Sequence, residues 1–211
     1  MKTYGQRCPL ARALDLIGER WTFLVVRELL LGPRRYTDLL DGLPGVGTNI
    51  LAARLATLQT AQLVTKRTLP APTAVTVYEL TGAGRALRPT VRALSEWGEQ
   101  HGAPVTDEQA ARPGWVLASV ARRGSRLENG RSCELWVGGD VFELADADGE
   151  LSIAAGRATS PDAVVTMGPE VFYALATRRT TPRAARERVD VEGDASVAIG
   201  VLDALSGAAS T

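Results

Sequence analysis

The sequence predicts an α+β protein in two parts, and three observations carry the expectation. Helical spacing of apolar residues dominates up to about residue 60. Two β-branched runs, "LVTKRTL" and "TAVTVYEL", then flank a proline-containing loop, and short strand-like runs punctuated by glycines fill the second half. The halves also differ in charge. Residues 1–100 carry 13 basic and 8 acidic side chains, net +5, and residues 101–211 carry 11 basic and 16 acidic, net −5. A basic part of this kind suits a polyanionic partner.

The first half resolves into elements in order. Leu10, Leu14 and Ile17 recur at helical spacing, with Pro9 suited to a first turn and Gly18 ending the stretch. "RWTFLVVRELLLG" is apolar on nearly all sides, as expected of a helix at a domain centre, and stops at Gly32-Pro33. Thr37 is placed to cap a short helix carrying Leu39 and Leu40. "LPGVG" breaks it, and Gly47 or Thr48 opens the next helix, with Leu51, Leu55 and Leu58 on one face. After the β ribbon, which ends at Thr81-Gly82, Leu87, Val91, Leu94 and Trp97 mark an amphipathic helix with Pro89 near its start. Four helices, a two-stranded wing and a closing helix make a winged helix-turn-helix.

That arrangement names its own candidate contacts. The second helix of a helix-turn-helix lies in the major groove with its N-terminal residues at the base edges. Thr48 and Asn49 are short and hydrogen-bonding, and an asparagine can pair with adenine through two bonds. Gly47 lets backbone approach phosphate at a helix N-terminus. Arg54 lies further along, within reach of the duplex backbone; Arg34 and Arg35 precede the first helix of the pair; Lys66 and Arg67 sit on the wing. Thr37 and Ala53 complete the candidate DNA-contact set.

"CPLARALDLIGERWTFLVVRELLLGPRRYTDLLDGLPGVGTNILAARLATLQTAQLV", with "VYELTGAGRAL" and "LSEWG" after it, resembles the HxlR family of bacterial transcriptional regulators over residues 7 to about 99. The resemblance implies a homodimer formed through the first helix and the helix around 83–100, a palindromic duplex operator, and DNA-binding regulation, as a repressor. It also implies a candidate sensor: Cys8 matches the N-terminal cysteine that detects oxidants or electrophiles in some relatives. Arg7 and the helix starting at Pro9 are the local features that could activate that thiol. The sequence departs from the family at "TAQLV", where Gln62 replaces the usual glycine, and a less tight turn is expected there.

The polar stretch "HGAPVTDEQAARPG" places the boundary: residues 1–101 form the DNA-binding and dimerisation domain, 102–113 a linker, and 114–211 a second domain. In that second domain "PGWVLASVARRG", "SCELWVGG", "DVFELADADG" and "ELSIAAG" read as successive strands of an antiparallel meander, and "DAVVTMG" as another. "PEVFYALATR" reads as a short helix, and "VDVEGDASVAIGVLDAL" as strand, Gly-Asp turn and helix. This order resembles the sterol-carrier-protein-like fold over about residues 113–206, which implies an apolar tunnel for a hydrophobic effector. Trp115, Trp136, Phe142, Phe172 and Tyr173 are the candidate lining residues.

Other classes find little support. His101 is the only histidine, which removes a two-histidine metal site and argues against a serine–histidine triad; no glycine-rich phosphate loop follows a strand. No enzyme, cofactor or metal is expected. The chain lacks an apolar run long enough to span a bilayer, "MKTYGQRCPL" lacks a signal-peptide layout, and the widely separated Cys8 and Cys133 fit a reducing cytoplasm. Two alternatives to an effector-controlled regulator stay open. One is a cysteine-switched regulator with a purely structural second domain. The other is a hydrophobic-ligand carrier that no longer binds DNA, against which Thr48, Asn49, Arg54 and Lys66 argue.

Overall fold

A computed structural model of the chain describes residues 3–70, 74–103, 111–120, 127, 130–147 and 150–207. It is α+β and divides into two compact units, Met1–Val91 and Arg92–Thr211. The division falls inside the helix Arg88–His101. Most of the expected linker, residues 104–110, lies outside the described residues.

The first unit contains α1 (Pro9–Ile17), α2 (Thr22–Leu30), α3 (Tyr36–Gly42), α4 (Thr48–Thr60), β1 (Val64–Thr68), β2 (Thr76–Leu80), the short α5 (Gly82–Arg85) and the start of α6 (Arg88–His101). α1 opens on Pro9, whose missing N–H costs nothing in a first turn. α2 supplies the centre of the core: Val25, Val26, Leu29 and Leu30 are buried against Leu39 of α3, Leu51, Leu55 and Leu58 of α4, and Leu80 of β2. Burial of each such side chain contributes about 1.5–3 kcal/mol. β1 and β2 pair antiparallel, with Lys66 opposite Tyr78. The chain before α3 extends this ribbon: Arg34 N–H donates to Tyr78 O (2.9 Å) and Tyr78 N–H to Arg34 O (2.8 Å).

Two local expectations change. Thr37 is not the cap of α3; it lies inside the helix, and Arg35 is the N-cap, its backbone N–H donating to the Asp38 carboxylate at 3.0 Å. An acidic residue three places into a helix does the capping that Thr37 seemed suited for. The turn at Gln62 is not loosened either. Gln62 takes φ +56°, Gln62 N–H donates to Gln59 O (3.0 Å) and Leu63 N–H to Leu58 O (2.9 Å), the paired bonds that close a helix through a left-handed residue. The leucines at 58 and 63 are both buried, and their packing holds a non-glycine residue in a conformation glycine prefers.

The second unit, beyond the rest of α6, contains α7 (Pro113–Val120), β3 (Ser132–Val137), β4 (Asp140–Ala147), β5 (Glu150–Ala155), β6 (Ala163–Met167), α8 (Pro169–Ala176), α9 (Pro182–Arg186), β7 (Asp190–Gly193) and α10 (Ala195–Ser206). "PGWVLASV", expected as a strand, is the helix α7. An unalternating apolar run of eight residues has no period that separates helix from buried strand, and Pro113 is suited to a first helical turn. The five strands lie in the order β5-β4-β3-β6-β7, with β3–β4–β5 an antiparallel meander and β3 parallel to β6. Cys133, Leu135, Val137, Phe142, Leu144, Ile153, Val165 and Met167 share one face of the sheet by register and are buried with Phe172 and Leu175 of α8 and Leu202 and Leu205 of α10.

The Gly-Asp turn between β7 and α10 has a specific cause. Gly193 takes φ +86°, and a Cβ there would meet Asp162 O at 2.4 Å. Asp194 then caps α10, accepting from Ser196 N–H at 2.9 Å, while Arg131 bridges Asp162 and Asp194. Ser132 N–H donates to Asp162, which holds that carboxyl below the usual range. Among the described residues no helix is long and apolar enough to cross a membrane.

Candidate nucleic-acid interface

The helix pair α3–α4 is locked by a bond that sequence inspection overlooked. Tyr36, in the first turn of α3, donates its hydroxyl to Thr48 O at 2.7 Å. It ties the start of one helix to the first turn of the next. α4 turns Leu51, Leu55 and Leu58 inward, all at 2% exposure or less. Asn49, Ala53 and Ala56 lie on the opposite face and Thr48 and Ala52 beside the leucine stripe, all exposed. Ala56 extends the Asn49 and Ala53 stripe by one turn, a continuation that helical spacing alone reveals. Small side chains let the backbone come close to a groove floor, and alanine methyls suit contact with thymine methyl groups.

Gly47 is the N-cap of α4, extended and without a side-chain cap on the first turn. The N–H groups of that turn point outward with partial positive charge, a favourable position for phosphate. Gly47, Thr48, Asn49 and Ala53 are all exposed around the start of α4.

The basic residues are placed differently, and most are engaged within the chain. Arg35 is exposed but makes a double contact with Asp38, from Nε at 2.9 Å and Nη2 at 2.6 Å to Oδ1. That pairing raises the guanidinium pKa and holds the Asp38 carboxyl below the usual range. Arg54 is half-buried and lies 3.6 Å from Glu19 Oε2. Five residues beyond Asn49, it points about 140° away around the helix. It belongs to the side of α4 that faces α1, not to the Asn49 stripe. Arg67 Nε lies 2.9 Å from Glu79 Oε1 across the wing. Lys66 Nζ rests 5.7 Å from the centre of the Tyr78 ring, and Lys66 is exposed. Arg34 is half-buried beside the wing through its backbone pairing, and Thr37 is exposed on α3.

The helices at the ends of the first half leave apolar surface open. On α1, Leu10 is 66% exposed and Leu14 38%; on α6, Leu94 is 49% exposed and Trp97 61%. Trp97 stacks on His101 with ring centres 5.1 Å apart. Cys8 is exposed at the N-cap of α1, while Cys133 is buried in β3, where desolvation pushes its thiol up to about 12.

The aromatic residues expected to line one cavity do not share one space. Phe172 and Tyr173 touch edge-to-face with ring centres 5.3 Å apart, and Phe142 and Phe172 are buried between sheet and helices. Trp136 points to the other face of the sheet from Phe142, because Phe142 pairs with its neighbour Leu135. There its Nε1 donates to the buried Glu134 Oε1 at 2.8 Å, and Arg157 stacks over its ring. Ala158 N–H donates to the other Glu134 oxygen at 3.1 Å, so this carboxylate fastens the segment after β5 to the sheet. Trp115 and Tyr173 are half-buried.

Known proteins match the winged unit. A family model described as HxlR-like helix-turn-helix covers residues 16–106. The HTH-type transcriptional regulator sll1512 of Synechocystis is 38% identical over 100 residues, 46% of this chain and 74% of its own length. The HTH-type transcriptional regulator YodB of Bacillus subtilis is 31% identical over 94 residues, 44% of this chain and 84% of its own. The solved structure of reduced YodB from B. subtilis aligns at 29% identity and a TM-score of 0.42, covering 48% of this chain and 100% of that one. Relatives matched at this identity across most of their own length, with a family model over the residues that build the α3–α4 pair and the wing, place the chain in the HxlR-like helix-turn-helix family.

Proposed function

We propose that the chain is a sequence-specific, DNA-binding transcriptional regulator of the cytoplasm that acts as a dimer on a palindromic operator and represses transcription. The carrying observation is the α3–α4 pair, whose Tyr36–Thr48 bond presents Thr48, Asn49, Ala52 and Ala53 on one uncovered surface above a leucine stripe. Asn49 reads a base edge, the first-turn N–H groups of α4 and the wing Lys66 meet phosphate, and Arg35 and Arg67 reach phosphate by exchanging their carboxylate partners. Exposed Leu10 on α1 and Leu94 and Trp97 on α6 support self-association.

The second unit, whose strand and helix order resembles the sterol-carrier-like fold, takes the role of dimer support in this reading. Close burial of Phe142, Phe172, Leu135 and Leu202 and the separation of Trp136 from them favour support over effector binding. A cysteine-switched regulator is the second reading, favoured by the exposure of Cys8 at a helix N-cap.

The test is fluorescence anisotropy on a panel of palindromic genomic fragments. Wild type selects some fragments over others. Asn49→Ala loses about 1–3 kcal/mol of discrimination at one base pair, while Lys66→Ala weakens all fragments alike and lowers the salt slope by about 0.9. Absence of selection by wild type at every salt concentration refutes the proposal.

A further inference from the structure

A cleft of about 980 Å³ opens within the first unit between α1 and the C-terminal half of α4. Its walls include Leu14, Asp15, Glu19, Arg54, Thr57 and Thr60. The volume lies at the upper end of small-molecule sites. Ala56 borders both this cleft and the exposed face of α4, while Thr48, Asn49, Ala52 and Ala53 lie outside it.

The polar atoms of the walls are mostly acceptors. Thr57 donates its hydroxyl hydrogen to Ala53 O (2.9 Å) and Thr60 donates its own to Ala56 O (3.0 Å), so each presents oxygen lone pairs. Asp15 accepts from Thr3 Oγ1 (2.9 Å) and Tyr4 N–H (2.8 Å) and keeps further lone pairs. Glu19, with its side chain 70% exposed, lies 3.6 Å from Arg54 Nη1. Charge-assisted bonds close to about 2.7–2.9 Å when well formed, so this pair is loose and exchangeable. Leu14 and Leu16, each 38% exposed, add apolar wall. Two carboxylates against one guanidinium repel phosphate and carboxylate ligands and favour a cation.

We propose that this cleft binds a small amphipathic organic cation, a protonated amine on an apolar chain or ring, and that its occupancy tightens operator binding. The second clause rests on the DNA-binding reading above. The ammonium takes Glu19 from Arg54, and the apolar body lies along Leu14 and Leu16. The bound cation adds one positive charge beside the recognition helix, which favours the polyanionic duplex. Because coupling is reciprocal, operator DNA raises affinity for the cation by the same factor.

The experiment titrates the full chain by calorimetry with hexylammonium, and with hexanol and hexanoate as neutral and anionic controls. Hexylammonium is expected to bind once per chain, Glu19→Gln to weaken it about tenfold or more, and both controls to show no saturation. Glu19 is exposed, so the variant keeps its fold. Operator affinity, measured separately, should rise by about fivefold or more at saturating hexylammonium, with no such rise in Glu19→Gln. Undiminished hexylammonium binding by Glu19→Gln overturns the proposal. So does preferential binding of hexanoate, or failure of every probe to bind because a second copy fills the cleft. If the cation binds as described while wild type selects no DNA fragment, the cation site stands and the DNA-binding reading is what fails. An operator affinity that the bound cation leaves unchanged defeats the effector role.

Discussion

Gly82 and Gly84 sit two residues apart in the same short helix, yet replacing them by alanine should have very different effects. A Cβ on Gly84 would lie 2.1 Å from Leu63 O, 2.9 Å from Leu80 Cδ2 and 3.1 Å from Leu63 C, whereas one on Gly82 would meet nothing within 4 Å. The obstacle at Gly84 is backbone of the residue leading into β1, which cannot swing aside like a flexible side chain. α5 would have to withdraw from the base of the wing. That withdrawal stretches Thr81 N–H to Leu63 O (3.0 Å) and Thr81 Oγ1 to Gln62 O (2.7 Å). Overpacking costs about 1–3 kcal/mol and each weakened bond about 1 kcal/mol. The gain from alanine over glycine in a helix returns at most about 1 kcal/mol. The net expectation for Gly84→Ala is a loss of about 3 kcal/mol, or roughly 10 °C in melting temperature. Gly82→Ala should melt at or slightly above wild type. Circular dichroism melts of the three proteins, paired with operator binding, provide the assay, since displacement of β1 also displaces Lys66. Melting of Gly84→Ala within about 2 °C of Gly82→Ala would show that the close approach at Leu63 does not constrain the fold.

Three further outcomes are expected. Gln62→Gly should stabilise the chain by about 1 kcal/mol in urea unfolding, because glycine meets no Cβ penalty at φ +56°, and an unchanged or lowered midpoint would refute strain at that turn. Thiol titration of the native protein should find Cys8 reacting rapidly and Cys133 protected until denaturant is added, since Cys133 is 0% exposed with its thiol pushed up to about 12; Cys8→Ser should still bind the operator, and its staying bound under an oxidant that releases wild type would establish the cysteine switch instead.

Much of the candidate interface was legible in the sequence because it is local. A leucine repeat at 51, 55 and 58 sets the inward face of α4, and the opposite face follows from 3.6 residues per turn. The glycine before Thr48, the break at Gly32-Pro33 and the β-branched ribbon are likewise properties of neighbouring residues, so helices, wing and the Thr48–Asn49 surface could be placed before any coordinates. Family resemblance added the regulator and the expectation of a dimer, which no spacing rule contains.

Tertiary structure alone decided where the long charged side chains go and which aromatic residues meet. Arg54 turns to Glu19, 35 positions earlier, and Arg67 to Glu79 across a ribbon whose register is not written in either strand. Trp136 and Phe142 part company because Phe142 pairs with Leu135, and one residue of register exchanges the faces of a strand. "PGWVLASV" became a helix because its apolar run is compatible with either geometry, and packing against α8 and β5 chose between them. Gly84 differs from Gly82 only through the carbonyl of Leu63 that folding brings beside it. Periodicity is carried by adjacent residues and survives in the sequence; partner choice between distant residues arises only when the chain closes on itself.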